Sequence, residues 1–316
     1  MGDKDTPTIP ASWEPFLSQL QKRAPNIKSL TWFALYDMLL PQSWVFVHPS
    51  NLEPEGKMTD YRWKTGITEI KKGEIRVRGY DVVDMMGKVS FSDAVFLVLK
   101  GELPTKAESE MMRGILVSSI DHGATPPSVL SARNVLSGGN PLNAAIAGGV
   151  LTIGDVHGGA IERCARILQT WGQRPDDIPV IAKELVSDFI YQKRRIPGFG
   201  HRLHETDPRT VKLFQMAQDL KFSGRHMELA QAVEDDLSQS LGKRLPINVD
   251  GAIAAVTSDM GFDWKMGKGF FIISRVAGLV AHAYEEMVRE KPMRRLGDWN
   301  FDYDGPAARQ IPDDYR

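Results

Sequence analysis

Pro197-Gly198-Phe199-Gly200-His201-Arg202, followed closely by Asp207-Pro208-Arg209, anchors the reading of this 316-residue chain. Asp before Pro marks a helix start, with Pro at the first helical position, where its missing N–H costs nothing. That spacing puts Arg209 in the first turn, where its planar fork can clamp a carboxylate. His201 sits in the glycine-bearing loop just before. Upstream, Lys193-Arg194-Arg195 offers positive charge to a phosphate-bearing ligand. The bland alternative is a Gly-rich turn with a solvated basic run; the coincidence of loop, His and Arg favours a site.

Two other segments set an ionisable side chain among glycines or small residues: Gly154-Asp155-Val156-His157-Gly158-Gly159 and Ile247-Asn248-Val249-Asp250-Gly251. A His near a helix N-terminus stays neutral and can donate to an oxyanion, so His157 reads as such a donor or as a loop His that only caps its helix. Asp250, among apolar residues, should be desolvated with a raised pKa, which suits a proton acceptor from carbon; a helix N-cap is the other reading. The glycines let the backbone approach a bulky ligand. His122, in Asp121-His122-Gly123, reads as a substrate-binding or merely helix-terminal residue. Arg275, a lone charge in Ile273-Ser274-Arg275-Val276-Ala277-Gly278, needs a buried anion, either a structural acid or a substrate carboxylate. His48, His204, His226, His282 and Cys164 lack supporting context and default to structural roles.

Around these segments the pattern is helical. Phe91–Lys100 ends at Gly101 with Pro104 beyond. Glu108–Ile120, Ile161–Trp171, Ile178–Tyr191, Pro208–Lys221, Met227–Leu241, Gly251–Met260 and Gly267–Arg289 read as helices, and Leu142–Ile153 as a fully buried one. Ile67–Ile70 and Glu74–Arg78 flank a Gly-bearing turn and read as a hairpin. Residues up to about Lys64 are Pro-rich, with one helix near Trp32–Leu40. The C-terminal Leu296–Arg316 should be an extended tail whose Trp299, Phe301 and Tyr303 pin it to a surface.

The chain is 42% hydrophobic and 25% charged with net charge −1, which favours neither nucleic acid nor an anionic membrane as partner. One cysteine allows no intrachain disulfide and argues against a zinc cluster. The polar N-terminus and the lack of a long apolar run point to a cytoplasmic enzyme. Phosphate-loop, dinucleotide, metal-helix and nucleophile-elbow motifs are absent.

With Val77-Arg78-Gly79-Tyr80-Asp81 and Lys100-Gly101-Glu102-Leu103-Pro104-Thr105, these segments resemble the citrate synthase superfamily from Thr65 to about Arg295. The resemblance implies an all-α fold with a short N-terminal β-hairpin. Its parts are an arm (1–64), a large helical domain (65–160 and 263–316) and a small helical domain (161–262), in a homodimer. By motif match His157, His201 and Asp250 carry the chemistry. His122, Arg209 and Arg275 hold a dicarboxylic keto acid such as oxaloacetate, and Arg195 with Pro197, Gly198, Phe199 and Gly200 lies against coenzyme A. Lys291 stands where the family supplies an Arg from the partner subunit, a point charge in place of a fork.

Gly149–Asp155, Asn248–Gly251 and the chain length look more like citryl-CoA lyase, the lyase module of ATP-citrate lyase and its stand-alone relatives, whereas His157 is synthase-like. The implied reaction is reversible cleavage of a 3-hydroxyacyl-CoA such as citryl-CoA, with the coenzyme A thioester as substrate and no bound metal or cofactor. Synthase-type condensation with thioester hydrolysis is the alternative, and a non-catalytic acyl-CoA-binding paralogue is the reading from another class.

Overall fold

The computed structural model describes residues 63–200, 206–294 and 302–315. The helix expected near Trp32–Leu40, and His48, His201, His204, Trp299 and Phe301, lie outside the described residues. The elements below belong to one compact unit, Thr65–Arg316.

The hairpin forms as β1 (Thr68–Lys71) and β2 (Glu74–Val77), antiparallel with Ile70 opposite Ile75. A two-residue β3 (Tyr80–Asp81) extends it, too short to carry a periodic signal. The sheet is mostly exposed and takes no part in the core.

Among the described residues the rest is helical. α1 is Val82–Met85, α2 Phe91–Lys100, α3 Lys106–Ser118, α4 Pro127–Ser137, α5 Leu142–Leu151 and α6 Ala160–Gly172. α7 is Ile178–Tyr191, α8 Pro208–Asp219, α9 Arg225–Leu241, α10 Val249–Asp259 and α11 Gly267–Arg289. The boundaries follow local chemistry. Ser90 caps α2 and left-handed Gly101 ends it, while Thr105 and Glu108 close a capping box on α3. α4 has no sequence forecast because Pro126-Pro127 reads as loop, yet Pro127 occupies the tolerated first position.

α10 is the centre of the core: Val249 and every residue from Gly251 to Ser258 is buried. Its alanines and glycine admit α6, α8 and α9 at close range. α5 departs from the expected fully buried helix, since only Ala145 and Gly149 are buried. It does pack closely on α4, because a Cβ on Gly149 would sit 2.9 Å from the Ser128 carbonyl. Its other side leaves Leu142 and Leu151 exposed. In the tail, Tyr303 is exposed and donates to the Pro306 carbonyl at 3.0 Å. No helix among the described residues is long and apolar enough to cross a membrane.

Candidate active site

The site gathers at the start of α10. Asn248, not Asp250, is the N-cap: its Oδ1 accepts from the Asp250 and Gly251 amides at 3.0 and 3.2 Å. The Asp250 carboxylate is thereby free of capping. Burial pushes it up to about 6; Arg209 and Arg275 pull the other way, and Asp207 adds to the rise.

The Pro197–Gly200 loop is fastened to this helix start. Gly200 N–H donates to the Pro246 carbonyl at 2.7 Å and Asn248 N–H to the Gly198 carbonyl at 3.0 Å, while the Asn248 side-chain amide donates to the Gly200 carbonyl at 2.9 Å. Gly198 has φ +87°, and a Cβ on Gly251 would lie 2.4 Å from the Gly198 carbonyl. Loop-on-helix packing within the chain by itself demands both glycines. A Cβ on Gly198 would also meet Cys164 Sγ at 2.9 Å. Burial first, and the Asp250 charge second, push that thiol up to about 12, as befits a structural cysteine.

Asp207 caps α8 as the sequence forecasts, and it also holds Arg209. Its carboxylate accepts from the Arg209 amide (3.0 Å), Nε (3.0 Å) and Nη2 (2.9 Å), and from the Val249 amide (3.2 Å) beside Asp250. Burial works to raise this carboxyl, but the bonds and charge of Arg209 and the Val249 amide hold it below the usual range. Arg209 thus enters the site already oriented.

His157 lies in the turn before α6. Its Nε2 pairs with Ser128 Oγ at 2.8 Å, and its ring meets Phe271 edge-on at 5.6 Å. Burial, then the charge of Arg275 and His122, lower its pKa, so the imidazole is neutral near pH 7. The turn is tight at Gly158, where a Cβ would clash with Phe271. His122 lies in the loop after α3, which ends at Ser118, and is not helix-terminal. Burial, Arg209 and Arg275 depress it, against Asp121 and Asp207.

Arg275 is 2% exposed on α11. Its Nε donates to the Ser119 carbonyl at 3.1 Å and its guanidinium lies 4.6 Å from the Phe271 ring centroid. Nη1 is buried without a hydrogen-bond partner. Asp121 and Asp250 act on it through space, while Asp121 pairs with His282 at 3.0 Å. A buried guanidinium with an empty edge is a place for an anion.

The structure therefore brings together His122, His157, Arg209, Asp250 and Arg275, each within electrostatic reach of others in the set. Lys291 does not join them; it lines a separate cavity beside Glu286 and Glu290. Arg195 and Pro197 line a further cavity, together with Arg163, Arg166 and Arg194. Sequence reasoning missed Ser128, Asp207 and Asn248 as supports. Asp207 and Asn248 were legible as Asp-Pro and Asn before a helix, whereas Ser128 has no local signal. His226 and His282 pair with Asp259 and Asp121 at 2.8 and 3.0 Å, consistent with structural roles. No cluster of three or more His, Cys, Asp or Glu side chains suited to a metal ion occurs among the described residues.

A helical scaffold that presents two neutral histidines, a raised carboxylate and two arginines is equipped for enolate chemistry on an acid-bearing substrate. The model of the citrate synthase C-terminal domain matches residues 61–113 and 105–296, and the chain belongs to the citrate synthase family. A solved citryl-CoA lyase from Hydrogenobacter thermophilus is 47% identical with TM-score 0.75, over 80% of this chain and 98% of that one. Citrate synthase from Thermoplasma acidophilum, solved as a ternary complex with carboxymethyl coenzyme A and oxaloacetate, is 25% identical with TM-score 0.58, over 72% and 61% of the two chains. Citrate synthase 2 of Bacillus subtilis is 27% identical over 239 residues, 74% of this chain, which spans 61% of that protein's length.

Proposed function

We propose that the protein reversibly cleaves a 3-hydroxyacyl-CoA of the citryl-CoA type into acetyl-CoA and oxaloacetate. The observation that carries this reading is the likeness to citryl-CoA lyase at 47% identity over 98% of that chain. The site chemistry supports it. In this reading residues 161–262 are the small domain that closes on substrate, while 65–160 and 263–316 form the large one and the dimer surface.

The substrate carboxylates meet Arg209, already oriented by Asp207, and the open edge of Arg275. His201 takes the hydroxyl proton. The bond between the carbinol carbon and its neighbour breaks, leaving the keto acid, and the electron pair passes into the thioester as an enolate. Neutral His157, its other ring nitrogen held by Ser128, donates to the enolate oxygen. Asp250 in its acid form then protonates the carbon, giving acetyl-CoA. With its carboxyl raised to about 6, the group can both hold and release that proton near neutral pH, which serves both directions.

Incubation with citryl-CoA, with oxaloacetate and free CoA followed separately, tests the reading. Oxaloacetate and acetyl-CoA in equal amounts are expected. Free CoA with citrate would replace the lyase by the synthase reading, which the citrate synthase 2 likeness favours.

A further inference from the structure

We propose that His282 of α11 is a positioning residue for His122, acting through Asp121 to keep His122 within reach of Arg209 and Arg275. The inference rests on the reading that His122 meets the substrate acid. The sequence gives His282 no more than a structural role, because its partner lies 161 positions away.

His122 lies in the loop between α3 and α4, and α11 grips the approach to it at successive turns. Ser274 Oγ donates to the Leu116 carbonyl, and Arg275 Nε to the Ser119 carbonyl at 3.1 Å. Gly278 comes next: a Cβ there would run into the Ile120 carbonyl and lie 3.0 Å from Asp121 Oδ1. One turn further, His282 Nε2 meets Asp121 Oδ1 at 3.0 Å. Positions 274, 275, 278 and 282 share a helix face, so these contacts follow the loop in chain order. His282 is the one that reaches the residue next to His122.

Asp121 passes that hold to the backbone. Its Oδ2 accepts from the Gly123 amide at 2.9 Å, and the His122 amide also acts on its carboxylate. Gly123 takes φ +81°, so the three residues form a tight turn built on the Asp121 side chain. Burial works to raise the Asp121 carboxyl, but the Gly123 and His122 amides and then His282 hold it below the usual range. Ionised, it can only accept, so His282 presents an N–H from Nε2. The other side of the ring faces Glu285, with Nδ1 3.9 Å from Oε2, and Glu285 is paired in turn with Arg289. The imidazole is thus set between two carboxylates, with Asp121 the nearer. Arg275 and His282 stand about two turns apart on α11. One helix therefore places Arg275 directly and His122 indirectly, and their spacing is set by the helix rather than by the loop.

The test is NMR titration of the His122 ring in the full chain, which needs no substrate, beside calorimetric titration with oxaloacetate. In the wild type burial, then Arg209 and Arg275, lower the His122 pKa from its ordinary 6.5. His282→Ala should move it back toward 6.5, because the freed loop carries His122 away from the two arginines. The same variant should weaken oxaloacetate binding by about tenfold. His282→Gln, whose amide N–H can stand in for Nε2, should keep the wild-type titration and bind within about threefold of wild type. His282→Phe keeps the ring's bulk without its nitrogens, and it carries the alanine expectation should the smaller side chain not fold. A His122 titration unchanged in the Ala and Phe variants would overturn the proposal, as would a Gln variant as impaired as they are. A shifted titration in a chain whose wild type binds no oxaloacetate would leave the positioning role standing and remove the substrate reading of His122. Full oxaloacetate binding in every variant would overturn the proposal and leave the lyase reading standing.

Discussion

Helix α11 carries two buried charges about three turns apart, and they are treated in opposite ways. Glu286, 3% exposed, is closed within the chain: Arg133 Nε and Arg294 Nε each donate to it at 2.6 Å. Arg275, 2% exposed, has one carbonyl, one aromatic face and an unpartnered Nη1. Burial is the same, so burial alone does not tell structure from function. What differs is whether the chain itself completes the charge. The same contrast holds at α10, where Asn248 satisfies the helix start and leaves Asp250 costly to ionise.

The largest effect should come at Asp250. Asp250→Asn is expected to lower turnover by about 10³-fold, as loss of a general acid–base. It should also stabilise the fold. The folded-state carboxyl, at about 6, stands above its ordinary 3.8, so its contribution to stability is full below 3.8 and lost as pH rises through 6. Removing the ionisable group should therefore gain up to about 3 kcal/mol at pH 8 and little at pH 4. Urea melts at the two pH values, beside steady-state rates, check both halves. A variant that is inactive and also destabilised at pH 8 would break the contrast.

Next in size, Glu286→Gln should cost about 3 kcal/mol, because it strands two arginines around a half-satisfied site. Arg275→Met should cost less than about 1 kcal/mol, because it removes an unpaired buried charge. Denaturant midpoints of the two variants give the comparison directly, and equal losses would contradict it. The smallest effect is expected at Lys193, in the turn that ends α7, where φ is 54°. Lys193→Gly should raise stability by about 0.5 kcal/mol, since release of left-handed strain slightly exceeds the added chain entropy. A loss of stability there would mean the Lys side chain holds the turn.

Most helices were legible because their apolar periodicity and stop signals are local: Gly101 after α2, and Asp207-Pro208 before α8, need no tertiary information. α4 was missed because its start is masked by Pro126-Pro127, and β3 because two residues carry no period. The overestimate of burial on α5 came from reading composition as environment; Leu142 and Leu151 are apolar, yet exposed on this chain. The site was legible residue by residue for His157, Asp250, Arg209 and Arg275, each marked by an odd residue type in small or apolar surroundings. What sequence could not supply is pairing. Ser128 reaches His157 across 29 positions, and nothing local to either announces the bond. Gly198 and Gly251 have a packing role that sequence does not announce, since a close backbone approach looks the same in sequence whether ligand or helix fills the space.

The claim that the charge left open on α11 belongs to the substrate has a direct measurement: calorimetric titration of oxaloacetate into wild type, Arg275→Met and Glu286→Gln. Arg275→Met should weaken binding by about 100-fold, as a buried charge-assisted contact is lost, while Glu286→Gln should bind within about threefold of wild type. Full affinity in Arg275→Met, or an equal loss in Glu286→Gln, would contradict it.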